Sequence, residues 1–183
     1  MSYIIDFRVR PPYKSFLGSG IFRCWDFQSP ETMTAIQMGR NPIPSVREGS
    51  MDMFVKEMDE AGIVESVIMG RRTGDAALGS GAVDNCEIKE LMDRYPGRFI
   101  GFAGIDPTEE GALEDIERCR EWGFKGVSVE PAWLTPNMYA DDPRLDPVYE
   151  RCHSLGMVLN LTVSAFVGPE YKLLRPCAYP ACG

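Results

Sequence analysis

Short apolar segments alternate with amphipathic segments along most of this chain. The apolar segments are rich in Val, Ile, Phe and Gly, as is typical of buried strands, and they occupy 3–10, 64–70, 98–105, 125–130 and 157–163. Between them, apolar residues recur at helical spacing, which predicts four helices. Because the connections after the first one are short, the pattern predicts right-handed βαβ units and a parallel sheet.

The predicted helices have recognisable starting residues. Ser50 is the expected N-cap of the first helix, and Asp84 with Glu87 has the spacing of a capping box for the second. Thr108 is the expected cap of the third, and Pro143 the first residue of the fourth. These signals also indicate where each preceding strand must end.

Two stretches interrupt the repeat. Residues 11–49 contain scattered Gly and Pro, and they predict a long loop that forms either a lid over a site or a contact surface for another subunit. That loop carries the aromatic residues Phe16, Phe22, Trp25 and Phe27. Residues 169–183 are rich in Pro and Cys and predict an irregular tail. The remainder is interpreted as one domain over residues 1–168.

Two α/β architectures accommodate five strands and four helices. A (β/α)8 TIM barrel usually takes about 250 residues, so a chain of 183 residues would form an incomplete barrel. A five-stranded doubly wound sheet would be complete at this length. Periodicity does not distinguish the two, and both place ligands at the carboxyl ends of the strands. The incomplete barrel would have open edges, which predicts a homo-oligomer formed through those edges or through the 11–49 loop, or else marginal stability.

Charge and composition exclude several kinds of partner. The formal net charge of −8 argues against nucleic acid and anionic membranes, but a local basic pocket could still hold a small anion. No apolar run is long enough to span a bilayer and the N-terminus has no signal-peptide pattern, so we predict a cytoplasmic protein. The cysteine spacing matches no zinc motif, and the cysteines in predicted helices are expected to act as small apolar residues.

Charged residues alternate along the first strand. Asp6, Arg8 and Arg10 are expected on one face, with apolar neighbours on the other. Arg8 and Arg10 could hold a carboxylate or phosphate of a substrate between them. They could equally form structural ion pairs with Asp6 or Asp106, and the sequence favours neither interpretation.

Two carboxylates follow the third and fourth strands. Asp106 and Glu130 occupy positions where barrel enzymes place catalytic groups. Asp106 precedes Pro107, and such a pair is also an ordinary way to end a strand. Glu130 has less structural reason to end a buried strand. We therefore consider Glu130 the better candidate for a general acid or base, with Asp106 as the second.

Polar residues on other strands extend the candidate site. Arg71 and Arg72 follow the second strand, and Arg71 is a candidate substrate-binding residue. If all four arginines converge, the pocket is cationic and its ligand anionic, whereas for at least one of the two a solvated turn is the favoured interpretation. Asn160 and Thr162 alternate with leucines along the fifth strand, a pattern typical of a pocket wall or of an edge strand with one wet face. His153 is expected in the last turn of a helix, where the helix dipole favours it without any function.

The order and spacing of several blocks resemble the amidohydrolase superfamily, in particular the branch that includes aminocarboxymuconate-semialdehyde decarboxylase. Besides the charged first strand and the loop after it, the matching blocks are Met58–Ile63, Tyr95–Phe102 with Asp106-Pro107, Gly123–Val127, Pro147–Cys152 and Leu155–Val158. The resemblance covers Ile4 to Gly168. It implies a TIM barrel that hydrolyses or decarboxylates a small carboxylated compound with a divalent metal such as zinc.

The chain departs from that family at the metal ligands. The family's first strand carries His-x-His, and Arg8 and Arg10 stand at those positions, while the fifth-strand histidine falls near Leu161. Guanidinium groups only donate hydrogen bonds and stay charged, so they repel a cation. Asp6 is the one residue that could remain of the N-terminal ligand set. We therefore predict an absent or impaired metal site, no cofactor and a small anionic substrate; the alternative is a non-catalytic relic that keeps the anion pocket.

Overall fold

A single parallel sheet organises the protein. The computed structural model describes residues 3–18, 43–72, 81–134 and 138–162. The strands are β1 (Ile4–Val9), β2 (Ile63–Met69), β3 (Phe99–Gly104), β4 (Gly126–Val129) and β5 (Val158–Leu161). The helices are α1 (Pro44–Glu48), α2 (Met51–Glu60), α3 (Asn85–Arg94), α4 (Ala112–Glu121) and α5 (Asp146–Leu155). Short 3-10 turns cover Lys14–Gly18, Pro131–Trp133 and Pro143–Leu145.

The strand order settles which architecture this is. The five strands lie in the order β1-β2-β3-β4-β5, and every neighbouring pair is parallel. A doubly wound sheet reverses direction and places its first strand inside the sheet, whereas a barrel adds each strand beside the previous one. The structure is therefore part of a TIM-type barrel, which confirms the incomplete-barrel prediction and excludes the doubly wound alternative.

Alternate residues of the strands supply two apolar layers. The larger layer packs the sheet against the helices and contains Ile68, Ile88, Leu91, Phe99, Ile116, Phe124, Val127 and Val129, all buried. A smaller layer on the opposite face consists of Val67, Met69 and Phe102. The second face corresponds to the interior of a barrel, which side chains normally fill.

The outer strands leave apolar surface uncovered. Within the residues that the structure describes, β1 pairs only with β2 and β5 only with β4. Tyr3, Ile4, Ile5 and Phe7 on β1 are exposed, as is Val158 on β5. The predicted oligomer through open edges stays a prediction.

The simple alternation predicted for the first strand is wrong near its end. The pairing with β2 shifts register between Asp6 and Val9, and an Asp6 carboxylate oxygen accepts a hydrogen bond from the Arg8 backbone N at 3.2 Å. The Phe7 ring meets Phe102 edge-on, with 5.6 Å between centroids, on the interior face. Adjacent Arg8 also extends to that side, toward β4. A bulge breaks the period of two and allows this.

Two of the expected helix caps are confirmed. The Ser50 and Asp84 side chains accept hydrogen bonds from the first turns of α2 and α3. The capping box is wrong, because the Glu87 carboxylate accepts from the backbone N and hydroxyl of Ser15 instead. That contact ties α3 to the turn after β1.

Two further helix starts differ from the prediction. Gly111, with a φ of 82°, caps α4, whereas Thr108 donates both its backbone N–H and its hydroxyl to Asp106. Asp142 accepts from the Arg144 backbone N, and Pro143 opens a 3-10 turn that leads into α5. Local side-chain hydrogen bonds compete with capping at such turns.

The predicted loop 11–49 is partly regular. It contains the 3-10 turn with buried Phe16, and α1 near its end. Phe22, Trp25 and Phe27 of this loop, and the predicted tail, lie outside the described residues. In the described part of the chain, no helix is both long and apolar enough to cross a membrane.

Cys119 and Cys152 are buried in the core, where burial raises their pKa to about 12 and about 11, while Cys86 is exposed.

Candidate functional site

Three arginines converge on one carboxylate at the carboxyl ends of the strands. Arg8 Nη2 lies 3.2 Å from Glu130 Oε1, and Arg71 Nε donates to Glu130 Oε2. Arg10 lines the same hollow, which is partly open to solvent. We call Arg8, Arg10, Arg71 and Glu130, with the space between them, the arginine pocket. Residues that are far apart in sequence thus form one cationic site.

The strand ends hold Glu130 and Arg71 in place. Glu130 directly follows β4 and is only 6% exposed, and Pro131 then starts a 3-10 turn. The Trp133 ring in that turn lies 5.2 Å from the Arg71 guanidinium carbon, in cation–π contact. One short segment therefore supplies both the carboxylate and the aromatic surface on which Arg71 rests.

Arg10 is the arginine without a committed partner. Among the described residues, its side chain forms no ion pair and no hydrogen bond. Burial lowers the pKa of Arg10, repulsion from Arg8 and Arg71 lowers it further, and Glu130 acts in the opposite direction. A bound anion would offset both unfavourable effects. Three guanidinium groups around a single carboxylate thus leave positive charge available for a ligand.

The next residue, Arg72, points away from the pocket. Arg72 Nη2 lies 2.9 Å from Asp115 Oδ2, and Arg118 also donates to Asp115. Arg72 therefore does not join Arg8, Arg10 and Arg71 around the same hollow. Arg72 does not lie in a purely solvated turn, because its partner Asp115 is a buried carboxylate on α4.

A buried asparagine that the sequence analysis overlooked links the two regions. Asn85, the first residue of α3, is fully buried; its Oδ1 accepts from Gly104 N at 2.8 Å and its Nδ2 donates to Gly104 O at 3.2 Å and Asp115 Oδ2 at 3.1 Å. Gly70 and Gly104 touch so closely that a Cβ on Gly104 would lie 2.2 Å from the Arg71 backbone N. The position of Asn85 directly after the Asp84 cap was the only sequence signal for its role. We call Arg72, Asn85, Asp115 and Arg118 the Asp115 cluster.

The remaining predicted site residues are distributed unevenly. Asp106 binds Thr108 through its Oδ1, at 2.8 Å to N and 2.6 Å to Oγ1, and borders a separate hollow near α4. Asn160 donates to Ser128 Oγ at 3.2 Å and Thr162 Oγ1 at 3.4 Å. Ser128 lines the arginine pocket, so Asn160 adjoins that pocket through Ser128 and Thr162 lies one step beyond. Asp106 therefore borders a different hollow from the one that Glu130 lines.

A metal ion needs several side chains with free lone pairs close together. Across the ranges 3–18, 43–72, 81–134 and 138–162, no three His, Cys, Asp or Glu side chains form a group that could hold one. Arg8 and Arg10 stand at the end of β1, and Asp6 accepts from a backbone N–H there. Guanidinium groups have no lone pair to offer a cation. The described residues therefore do not fit a divalent metal.

Comparisons with known proteins place this fold in a family. The amidohydrolase family model matches residues 5–178. A 2-amino-3-carboxymuconate-6-semialdehyde decarboxylase from Dictyostelium discoideum is 29% identical over 103 residues, which are 53% of this chain and 28% of that protein.

Solved structures agree with that match. An uncharacterized TIM-barrel protein from Bordetella bronchiseptica aligns with a TM-score of 0.76 and 29% identity, over 93% of this chain and 59% of the other. A 5-carboxyvanillate decarboxylase from Novosphingobium aromaticivorans, solved with manganese and 3-methoxy-4-hydroxy-5-nitrobenzoic acid, has a TM-score of 0.53 and 19% identity over 86% of this chain and 50% of the other. A 4-oxalomesaconate hydratase from Rhodopseudomonas palustris has a TM-score of 0.53 and 20% identity over 88% and 52%.

The lengths covered differ from one relative to the next. This chain spans 28% of the curated decarboxylase and 59% of the Bordetella protein, so it corresponds to part of each. The family model, by contrast, covers nearly the whole chain. Sheet order, helix placement and the family match agree, and the chain belongs to the amidohydrolase family.

Proposed function

We propose that this chain carries the anion-binding site of an amidohydrolase-family decarboxylase that acts on a small carboxylated compound. The observation that carries the proposal is Arg10, a largely buried guanidinium that lies beside two further arginines and forms no ion pair of its own with any described residue. Buried cations need a partner, and a carboxylate matches the planar guanidinium fork. Two of the relatives named above are decarboxylases of carboxylated compounds, which supports the same substrate class.

Each pocket residue has a distinct role in this proposal. Arg10 and Arg8 hold a carboxylate of the substrate and orient the reacting carbon beside Glu130. The bond to the departing carboxylate breaks, its electron pair stays on carbon, and CO2 leaves. That carbon takes a proton that Glu130 first accepts from a water molecule and then passes on, which completes the exchange of CO2 for H. Glu130 is preferred to Asp106 because only Glu130 lines the pocket.

The proposed reaction assigns no step to a metal ion. Arg8 and Arg10 stand where the resemblance places metal-binding histidines, and they would repel a cation. Electrostatic stabilisation by preorganised guanidinium donors can stabilise negative charge that develops on the substrate. We therefore assign to the arginines the charge-stabilising role that a divalent cation has in other members.

A binding module without catalysis is the second candidate. The observation that favours it is that the arginine pocket is formed by described residues alone and offers positive charge for binding an anion. In that case the pocket would bind small carboxylates and Glu130 would transfer no proton.

Binding and turnover measurements test both candidates. We expect Arg10→Gln to weaken benzoate binding in calorimetry by about tenfold or more, the worth of a charge-assisted hydrogen bond. Arg151→Gln is the matched control, because Arg151 pairs with Glu117 at the surface of the helices. Equal affinities of the wild type and Arg10→Gln would refute an anion site at Arg10.

Turnover separates the enzyme from the binding module. CO2 release from a panel of carboxylated aromatic and dienoic acids is expected for the wild type and lost in Glu130→Gln. Retained benzoate binding with no CO2 release from any compound would favour the second candidate.

A further inference from the structure

Glu130 occupies the place that a ligand carboxylate would take. Its two oxygens are divided between two arginines, with Oε1 on Arg8 and Oε2 on Arg71. Arg–carboxylate pairs of this kind are the strong hydrogen bonds of protein interiors. The pocket is therefore already partly filled by a carboxylate of the chain itself.

We propose that Glu130 is an exchangeable internal carboxylate, which an incoming ligand carboxylate replaces on Arg8 while Arg10 makes the first contact. The inference rests on the proposed function, because it assumes that the ligand is a carboxylate. It adds an order of events and a rule for affinity, neither of which follows from family membership.

Charge and accessibility give the order of contacts. Arg10 has no partner among the described residues, so it can accept an anion without breaking anything. Arg8 is 40% exposed at its side chain and lies 3.2 Å from Glu130, whereas Arg71 is 11% exposed and rests on Trp133. The more exposed Arg8 is therefore the arginine that changes partner, and Arg71 keeps Glu130 within the pocket.

The exchange would place Glu130 where the proposed reaction needs it. While Glu130 bridges two guanidinium groups, both oxygens accept hydrogen bonds from cations. Once Arg8 turns to the ligand, Oε1 no longer pairs with Arg8 and can pass a proton taken from water to the bound compound. Substrate binding would thereby prepare the acid–base group in the same step.

A fixed Glu130 makes the opposite prediction for affinity. If Glu130 only orients the arginines, removing its charge should loosen them and weaken anion binding. If Glu130 competes with the ligand, removing its charge should strengthen binding, because the ligand no longer displaces a carboxylate. The sign of one measured change thus separates the two roles.

Calorimetry with benzoate provides that sign. We expect Glu130→Gln to bind benzoate about tenfold more tightly than the wild type, in line with one charge-assisted hydrogen bond no longer lost to competition. Glu117→Gln, which removes a carboxylate from the surface pair with Arg151, controls for the change in net charge. Unchanged or weaker binding by Glu130→Gln, relative to this control, would overturn the exchange.

A structure of the wild-type protein with benzoate tests the inference without any variant. We expect benzoate on Arg8 and Arg10 and the Glu130–Arg8 contact broken; benzoate bound with that contact intact would overturn the exchange. The two proposals fail differently. Loss of the exchange alone leaves benzoate binding sensitive to Arg10→Gln, whereas failure of the proposed function shows as benzoate binding that neither Arg10→Gln nor Glu130→Gln changes.

Discussion

Arg71 of the arginine pocket and Arg72 of the Asp115 cluster are adjacent in the chain, yet the two sites differ in their balance of charge and in their surroundings. In the pocket, three arginines face Glu130 around an open hollow, and Arg10 has no partner among the described residues. In the cluster, Arg72 and Arg118 face Asp115, with Glu109 3.9 Å from Arg72 and an asparagine completing the hydrogen bonds. An excess of charge beside empty space indicates a binding site, whereas balanced and saturated charges indicate a structural one.

The strongest test of this comparison is the removal of Asp115. Asp115→Ala leaves Arg72 and the Asn85 amide without their buried acceptor, and we expect unfolding free energy to fall by about 3 kcal/mol. Urea denaturation measures the loss. Benzoate affinity of the folded fraction should stay near that of the wild type. A loss of affinity without a loss of stability would show that the cluster takes part in binding.

Asn85→Ala should have the next largest effect. The substitution removes two hydrogen bonds to Gly104 and one to Asp115, so we expect a destabilisation of about 2 kcal/mol. Amide hydrogen exchange at Gly104 offers a local measurement, because its N–H loses the Asn85 acceptor. Asn85→Ser, which is smaller but polar, should recover part of the loss. Unaltered protection of the Gly104 amide would contradict the structural role of Asn85.

Trp133→Leu sharpens the comparison from the side of the pocket. It keeps an apolar residue under Arg71 but removes the cation–π contact, worth about 1 kcal/mol. We expect benzoate affinity to fall by about threefold, mainly because Trp133 no longer holds Arg71 in its orientation. Trp122→Leu is the matched control, since Trp122 stacks under Arg118 outside the pocket. Equal effects of the two substitutions would argue against a specific role of Trp133.

An exposed ion pair sets the lower end of the scale. The Arg144 side chain lowers the pKa of Asp142 to about 2, from the ordinary 3.8. Because the folded-state pKa is lowered, the pair supports the fold above pH 3.8 and loses that effect as pH falls toward 2. Arg144→Gln should raise the pKa of Asp142 toward its ordinary value, as NMR titration would show, with little change in stability at neutral pH. A pKa that stays near 2 would assign the shift to the backbone instead.

Local sequence patterns were sufficient for the order of elements. The five apolar segments became the five strands within a residue or two, because period and turn residues act over short distances. Ser50 and Asp84 capped their helices as expected, whereas Thr108 did not, because its N–H and hydroxyl donate to Asp106 and the helix begins only at Ala112. Residue type alone does not show which of several nearby hydrogen-bond partners a side chain will take.

The sequence by itself determined which residues end each strand, and so which side chains could meet at the carboxyl edge of the sheet. Only the tertiary structure decided that the strands add in chain order, that Arg71 turns to Glu130 while Arg72 turns to Asp115, and that Asp106 borders a different hollow from Glu130. It also revealed Asn85, whose partners are 19 and 30 positions away. These outcomes depend on register and on contacts between distant segments, and neither is encoded in the local period of apolar residues.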